Sequence, residues 1–163
     1  MTRIAERTVL FADLRGSTAL FERLGNAQAT AVVTGAISTV GARVTTMGGT
    51  VIKTLGDGLM ATFEQPQVAL QCALRMQEAL EALSTAPAAE GGGTVLPRFV
   101  RLQVALAHGE VVELGDDCYG DAVNVAARLL DHASDGEVLV TQRIFDALSA
   151  ELQPRFRHLD SIV

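Results

Sequence analysis

Residues 50–63 read TVIKTLGDGLMATF, and the fold turns on the centre of that stretch. Gly56-Asp57-Gly58 is a turn signal between two apolar runs, so TVIKT and LMATF form a β-hairpin with Asp57 at its tip. A turn aspartate is ordinarily only a turn former. A second aspartate, Asp13, ends another strand-like run, TVLFAD at residues 8–13. Whether the two carboxylates meet is a question of topology.

Outward from the hairpin, apolar periodicity supplies the other elements. Before it, residues 17–24 (STALFERL) read as a short helix. Val33, Ile37, Val40, Val44 and Met47 recur at steps of four and three, marking one face of a helix over 27–47 that Gly48-Gly49 ends. After it, Pro66 opens a helix whose inner face is Leu70, Ala73, Met76, Leu80 and Leu83. Residues 84–97 read as a surface loop. In residues 98–108, Val100, Leu102, Val104 and Leu106 alternate with Arg101, Gln103 and Ala105, which predicts a strand with one buried face. Gly109-Glu110 reads as a turn into a further strand, VVEL, and GDDCYGD as a loop. AVNVAARLLDHA reads as a helix with Val123, Ala127 and Leu130 inward, EVLV as a strand, and 142–149 as a helix capped by Thr141.

The order β-α-α-β-β-α-β-β-α-β-α contains a βαββαβ unit. It predicts an α/β (α+β) fold with a ferredoxin-like, mostly antiparallel sheet and helices packed on one face. A right-handed crossover makes the first two strands parallel, with the third between them running the other way. The first strand then ends at the edge where the hairpin turns, and Asp13 and Asp57 come together.

Bulk properties exclude several classes. The 163 residues make one domain, 1–163, and 48% apolar residues can fill its core. Net charge is −6 with no basic cluster, which argues against nucleic acid as a partner. Cys72 and Cys118 have no metal-ligand or redox spacing. No segment resembles a signal peptide and no apolar run approaches ~20 residues, so a soluble, cytoplasmic setting without a membrane segment is expected.

Two adjacent carboxylates repel each other unless a cation sits between them. Oxygen ligands suit Mg²⁺ or Mn²⁺, and a pair of ions ~4 Å apart can serve an in-line displacement at phosphorus. Gly16 and Ser17, opening the next helix, can offer backbone N–H groups to a phosphate. Asn124 and Arg128, four apart on a helix, share a face and suit a sugar and a phosphate. Each residue alone has a plainer reading. Asp13 can cap a helix, Asp57 make a turn, Lys53 face outward from its strand, Asp117 sit in a loop, and Arg128 be a solvated surface residue.

Taken together, three blocks carry a resemblance: VLFADLRGST, GGTVIKTLGDGLMATF and DCYGDAVNVAARL. In that order they resemble the catalytic domain of class III nucleotidyl cyclases, most like a bacterial adenylate cyclase, over nearly the whole chain. The resemblance implies two divalent cations, Mg²⁺ or Mn²⁺, on Asp13 and Asp57. It implies ATP as substrate and cyclic AMP and pyrophosphate as products. It casts Lys53 and Asp117 as purine readers, Asn124 on the ribose and Arg128 on the reacting phosphate. It further implies a homodimer in which one subunit's metal aspartates face the other's purine and phosphate readers. The purine assignment has a physical basis. Adenine offers a donor amine and an acceptor N1, which a carboxylate and an ammonium can meet, whereas guanine's O6 and N1 mismatch that pair. Guanylate cyclases typically carry Glu and Cys at these places. Cys118 adjoins Asp117, but Gly120, Asn124 and Arg128 fix the register on Asp117.

His108 departs from the family pattern by directly preceding Gly109, and the chain ends at RHLDSIV, which implies truncation before a final strand. A guanylate cyclase and a weak or inactive nucleotide-sensing dimerisation module remain as alternatives. A diguanylate cyclase would show Gly-Gly-Asp/Glu-Glu-Phe where this chain has LGDGL.

Overall fold

The computed structural model describes residues 2–85 and 96–159. The elements are β1 (Thr2–Arg15), α1 (Ser17–Leu24), α2 (Asn26–Thr46), β2 (Thr50–Thr54), β3 (Gly58–Phe63) and α3 (Pro66–Thr85). They continue with β4 (Arg101–Leu114), β5 (Asp117–Tyr119), α4 (Asp121–Asp131), β6 (Val138–Val140), α5 (Gln142–Ala147) and a 3-10 turn at Gln153–Arg155. The expected loop over 84–97 falls mostly outside the described residues, as does the end of the chain after Leu159.

The sheet runs β2-β3-β1-β4-β5, with β6 pairing parallel to β4 and every other pairing antiparallel. β1 and β2 are therefore parallel with β3 between them, as the βαββαβ reading predicts. One apolar cluster joins Leu10, Ala12 and Leu14 of β1 and Leu102, Val104 and Leu106 of β4 to the inner faces of α2 and α3. Val33, Ile37, Val40 and Val44 of α2 are buried there, as are Leu70, Ala73, Met76 and Leu80 of α3. Met47 and Leu83 pack at its margin.

Helices cover both faces of this sheet, not one. The alternate residues Val9 and Phe11 of β1 and Ala107 and Val111 of β4 form a second cluster with Met60, Cys118, Ala122 and Ala126. The helix on that side is α4. Its fully buried positions are Ala122 and Ala126, with Val123, Ala127 and Leu130 only partly buried, so its inward face is rotated from the expected one. Small alanines let α4 lie close to the sheet, and the larger side chains flank the contact.

β4 is also longer than expected. Gly109-Glu110 does not turn, because the register with β1 runs unbroken from Thr2↔Leu114 to Arg15↔Arg101. Pairing along that whole edge outweighs a single glycine's weakness in a strand. The strand starts at Arg101 because Pro97–Val100 closes a turn, with the Val100 N–H donating to the Pro97 carbonyl at 3.0 Å. The expected GDDCYGD loop contains β5, which extends the sheet by pairing Asp117 with Leu114. Thr141 caps α5 as anticipated, its hydroxyl accepting from the Ile144 N–H.

Candidate active site

The end of β1 and the β2–β3 turn meet as the topology requires. Asp13 lies opposite Gly58 in the ladder, and one residue further on the Leu14 N–H donates to the Asp57 carbonyl at 2.8 Å. The turn closes on itself through the Leu55 N–H and the Gly58 carbonyl, also 2.8 Å. Gly58 is required by space: a Cβ there would stand 2.5 Å from the Ala12 carbonyl oxygen and 3.2 Å from Asp13 Oδ1. The Asp13 carboxylate thus leans over Gly58 toward Asp57. Gly16, in a left-handed conformation with φ 89°, starts α1, and a Cβ there would collide with the Phe99 carbonyl at 2.6 Å. Ser17, the first helical residue, donates its hydroxyl to Asp57 Oδ2 at 3.0 Å.

This end of the molecule is electrostatically unbalanced. Burial, then a hydrogen bond and repulsion from Asp57, push the Asp13 carboxyl up to about 6. Asp131, the last residue of α4, adds repulsion, and Arg15 opposes it with Nε 3.6 Å from Asp13 Oδ2. Among the described residues no group of three or more His, Cys, Asp or Glu could hold a metal ion. The protein donor set here is two carboxylates. That set fits Mg²⁺ or Mn²⁺, which retain waters and take substrate phosphates as ligands, and does not fit an all-protein cage.

The opposite condition holds at Lys53 and Asp117. β2 and β5 end opposite flanks of the sheet path, yet Lys53 Nζ donates to both Asp117 oxygens at 3.2 Å. The sheet curls until its ends touch. Asp117 also accepts from the Cys118 N–H at 2.8 Å and the Tyr119 hydroxyl at 3.2 Å. The Cys118 N–H, then Lys53 and Tyr119, hold the Asp117 carboxyl below the usual carboxylate range. Cys118 points the other way, into the core under α4. Asn124 and Arg128 are both exposed on α4.

Residues 1–162 match the family described as the adenylate and guanylate cyclase catalytic domain. The chain belongs to that family. It is 29% identical to an adenylate cyclase of Anabaena cylindrica over 96% of this chain, and 33% identical to one of Streptomyces griseus over 81%. Those alignments cover 33% and 30% of the two relatives, so the chain spans about a third of their length. Among solved structures, an adenylate/guanylate cyclase/hydrolase from Silicibacter pomeroyi superposes with a TM-score of 0.73 at 27% identity, over 96% of this chain and 84% of that one. An adenylyl cyclase from P. aeruginosa shares the fold, with a TM-score of 0.77 at 22% identity over 90% and 82% of the two chains.

For this class III cyclase domain, three site neighbours escaped the sequence reading. Tyr119 and Arg15 contact the candidate carboxylates directly. Gln103, which alternation alone places on the outward face, is 1% exposed. The signal for Gln103 was present in its strand: Ala105 and Ala107 at the same parity are small and apolar, as a covered face requires. Among the described residues no helix is long and apolar enough to cross a membrane.

Proposed function

We propose that residues 1–163 form one adenylate cyclase catalytic domain that works as a homodimer and converts ATP to cyclic AMP and pyrophosphate. The observation that carries the choice of ATP is the preformed Lys53–Asp117 pair, which offers a donor and an acceptor side by side. Lys53 donates to adenine N1 and Asp117 accepts from the exocyclic amine. Tyr119 and the Cys118 N–H hold Asp117 ionised and aimed for that task. Asn124 orients the ribose. Arg128 meets charge that develops on the α-phosphate as the 3′-hydroxyl attacks. Gly16 and Ser17 turn the start of α1 toward the phosphates, and Ser17 fixes Asp57. Asp13 and Asp57 would hold two divalent cations, Mg²⁺ or Mn²⁺, which when bound supply charge neutralisation and a more acidic 3′-hydroxyl. Asp13 and Asp57 of one subunit face Arg128, Asn124, Lys53 and Asp117 of the other, so each dimer has two sites. ATP as substrate assigns the domain to the cytoplasm.

The test is purified protein with Mn²⁺ and either ATP or GTP, with products identified by mass. Cyclic AMP from ATP is expected. Cyclic GMP alone would make the domain a guanylate cyclase, and ATP binding without product would make it a sensing module.

A further inference from the structure

We propose that Gln103 is a positioning residue of the cation site, the polar neighbour that orients Asp13 from the β4 side when a divalent cation is bound. The inference rests on the reading of Asp13 and Asp57 as cation ligands. Gln103 lies directly opposite Asp13 in the β1–β4 register, where facing side chains start about 5 Å apart. Its parity is that of Ala107 and Val111, so it stands on the α4 face with Asp13. It is 1% exposed, and neither its amide nitrogen nor its amide oxygen has a hydrogen-bond partner.

A buried amide with both ends orphaned costs stability, and an apolar side chain would fill the same position without that cost. Its place beside Asp13 supplies a use. The Asp13 carboxylate leans away over Gly58 toward Asp57, and Arg15 Nε approaches its Oδ2. Gln103 flanks it on the remaining strand. A neutral amide there can donate to the carboxylate and accept from a cation-bound water, and adds no charge to a site already crowded with carboxylates. A glutamate there would add to the repulsion.

The experiment uses the whole chain with Gln103→Met and Gln103→Leu, and with Gln103→Asn as the amide-retaining control. Mn²⁺ affinity is read by the free-ion paramagnetic resonance signal, and the melting temperature is read without metal. The expected result is a rise in melting temperature for Met and Leu together with a ~10–100-fold loss of Mn²⁺ affinity. Asn should retain part of the affinity. A structural amide predicts the reverse: a lower melting temperature with affinity unchanged, or a higher one with affinity unchanged. Either overturns the proposal. Asp57→Ala separates this failure from failure of the underlying reading. If wild type and Asp57→Ala bind Mn²⁺ alike, the carboxylates are not the ligands and the role of Gln103 falls with them. If Asp57→Ala loses Mn²⁺ while Gln103→Met does not, only the role of Gln103 is lost.

Discussion

The two ends of the site differ in how complete they are. Lys53 and Asp117 satisfy each other across the curled sheet, and Asp117 has two further donors. Asp13 and Asp57 are pressed together, and burial first, then the hydrogen bond and repulsion from Asp57, push the Asp13 carboxyl up to about 6. The first pair is balanced in charge as it stands. The second carries a repulsion that a bound cation would relieve. In physical terms the Lys53–Asp117 end is balanced in charge and the Asp13–Asp57 end is not.

The sharpest way to break that contrast is to remove the repulsion. Asp57→Ala should lower cyclic AMP formation by about 10³-fold or more, since cation stabilisation of a phosphoryl transition state is worth several kcal/mol. The fold should survive, because Asp57 sits in a turn and is only half-buried. Cyclic AMP assays beside circular dichroism check this, and near-normal turnover would remove Asp57 from the mechanism.

At the balanced end, Lys53→Glu with Asp117→Cys should reduce the ATP-over-GTP preference by about 10²-fold or more, because a reversed donor–acceptor edge penalises the wrong base heavily. The ratio of kcat/KM for the two nucleotides is the measurement. An unchanged ratio would show that this pair does not read the purine.

A smaller effect tests whether the two ends act in different subunits. Asp13→Ala and Arg128→Ala chains, each nearly inactive, should recover roughly a quarter of wild-type activity when mixed. Random exchange makes about half the dimers mixed, and each of those has one intact site of two. Tagged chains confirm exchange, and confirmed mixed dimers without recovery would contradict a shared site.

The smallest effect is on metal-free stability. The folded state holds the Asp13 proton more tightly than the unfolded chain does. That preference stabilises the fold fully below the ordinary carboxylate value of 3.8 and is lost as pH rises through about 6. Asp13→Asn should therefore raise the metal-free melting temperature at pH 7 by a few degrees and leave it nearly unchanged at pH 4. Mn²⁺ affinity of the wild type should weaken as pH falls below about 6, where the proton competes. A wild-type affinity flat from pH 7 to 5 would contradict the repulsion at Asp13.

Much of this was legible in the residues. The GDG turn, the 3.6-residue periodicity of α2 and α3, and Thr141 before α5 are local signals, and each produced its element. The βαββαβ order brought Asp13 to Asp57 because strand direction and crossover hand leave few ways to assemble such a sheet. The chain could not state locally that its second sheet face is covered. Alternation tells which residues share a face, and whether that face meets water or a helix is settled only when α4 arrives. Alternation therefore points Gln103 outward and turns α4 toward its larger apolar residues, whereas Gln103 is buried and the alanines of α4 make the close contact.

The sequence by itself determined most of the element types, the order of the first three strands through the crossover, and which carboxylates, lysine, asparagine and arginine the domain carries. These follow from short-range sterics and from the periodicity of apolar residues. Tertiary structure alone decided that Lys53 touches Asp117, that β4 runs unbroken past Gly109, and that Gln103 is buried beside Asp13. Those depend on twist accumulated over five strands and on packing between elements distant in sequence, and no local window of residues encodes either.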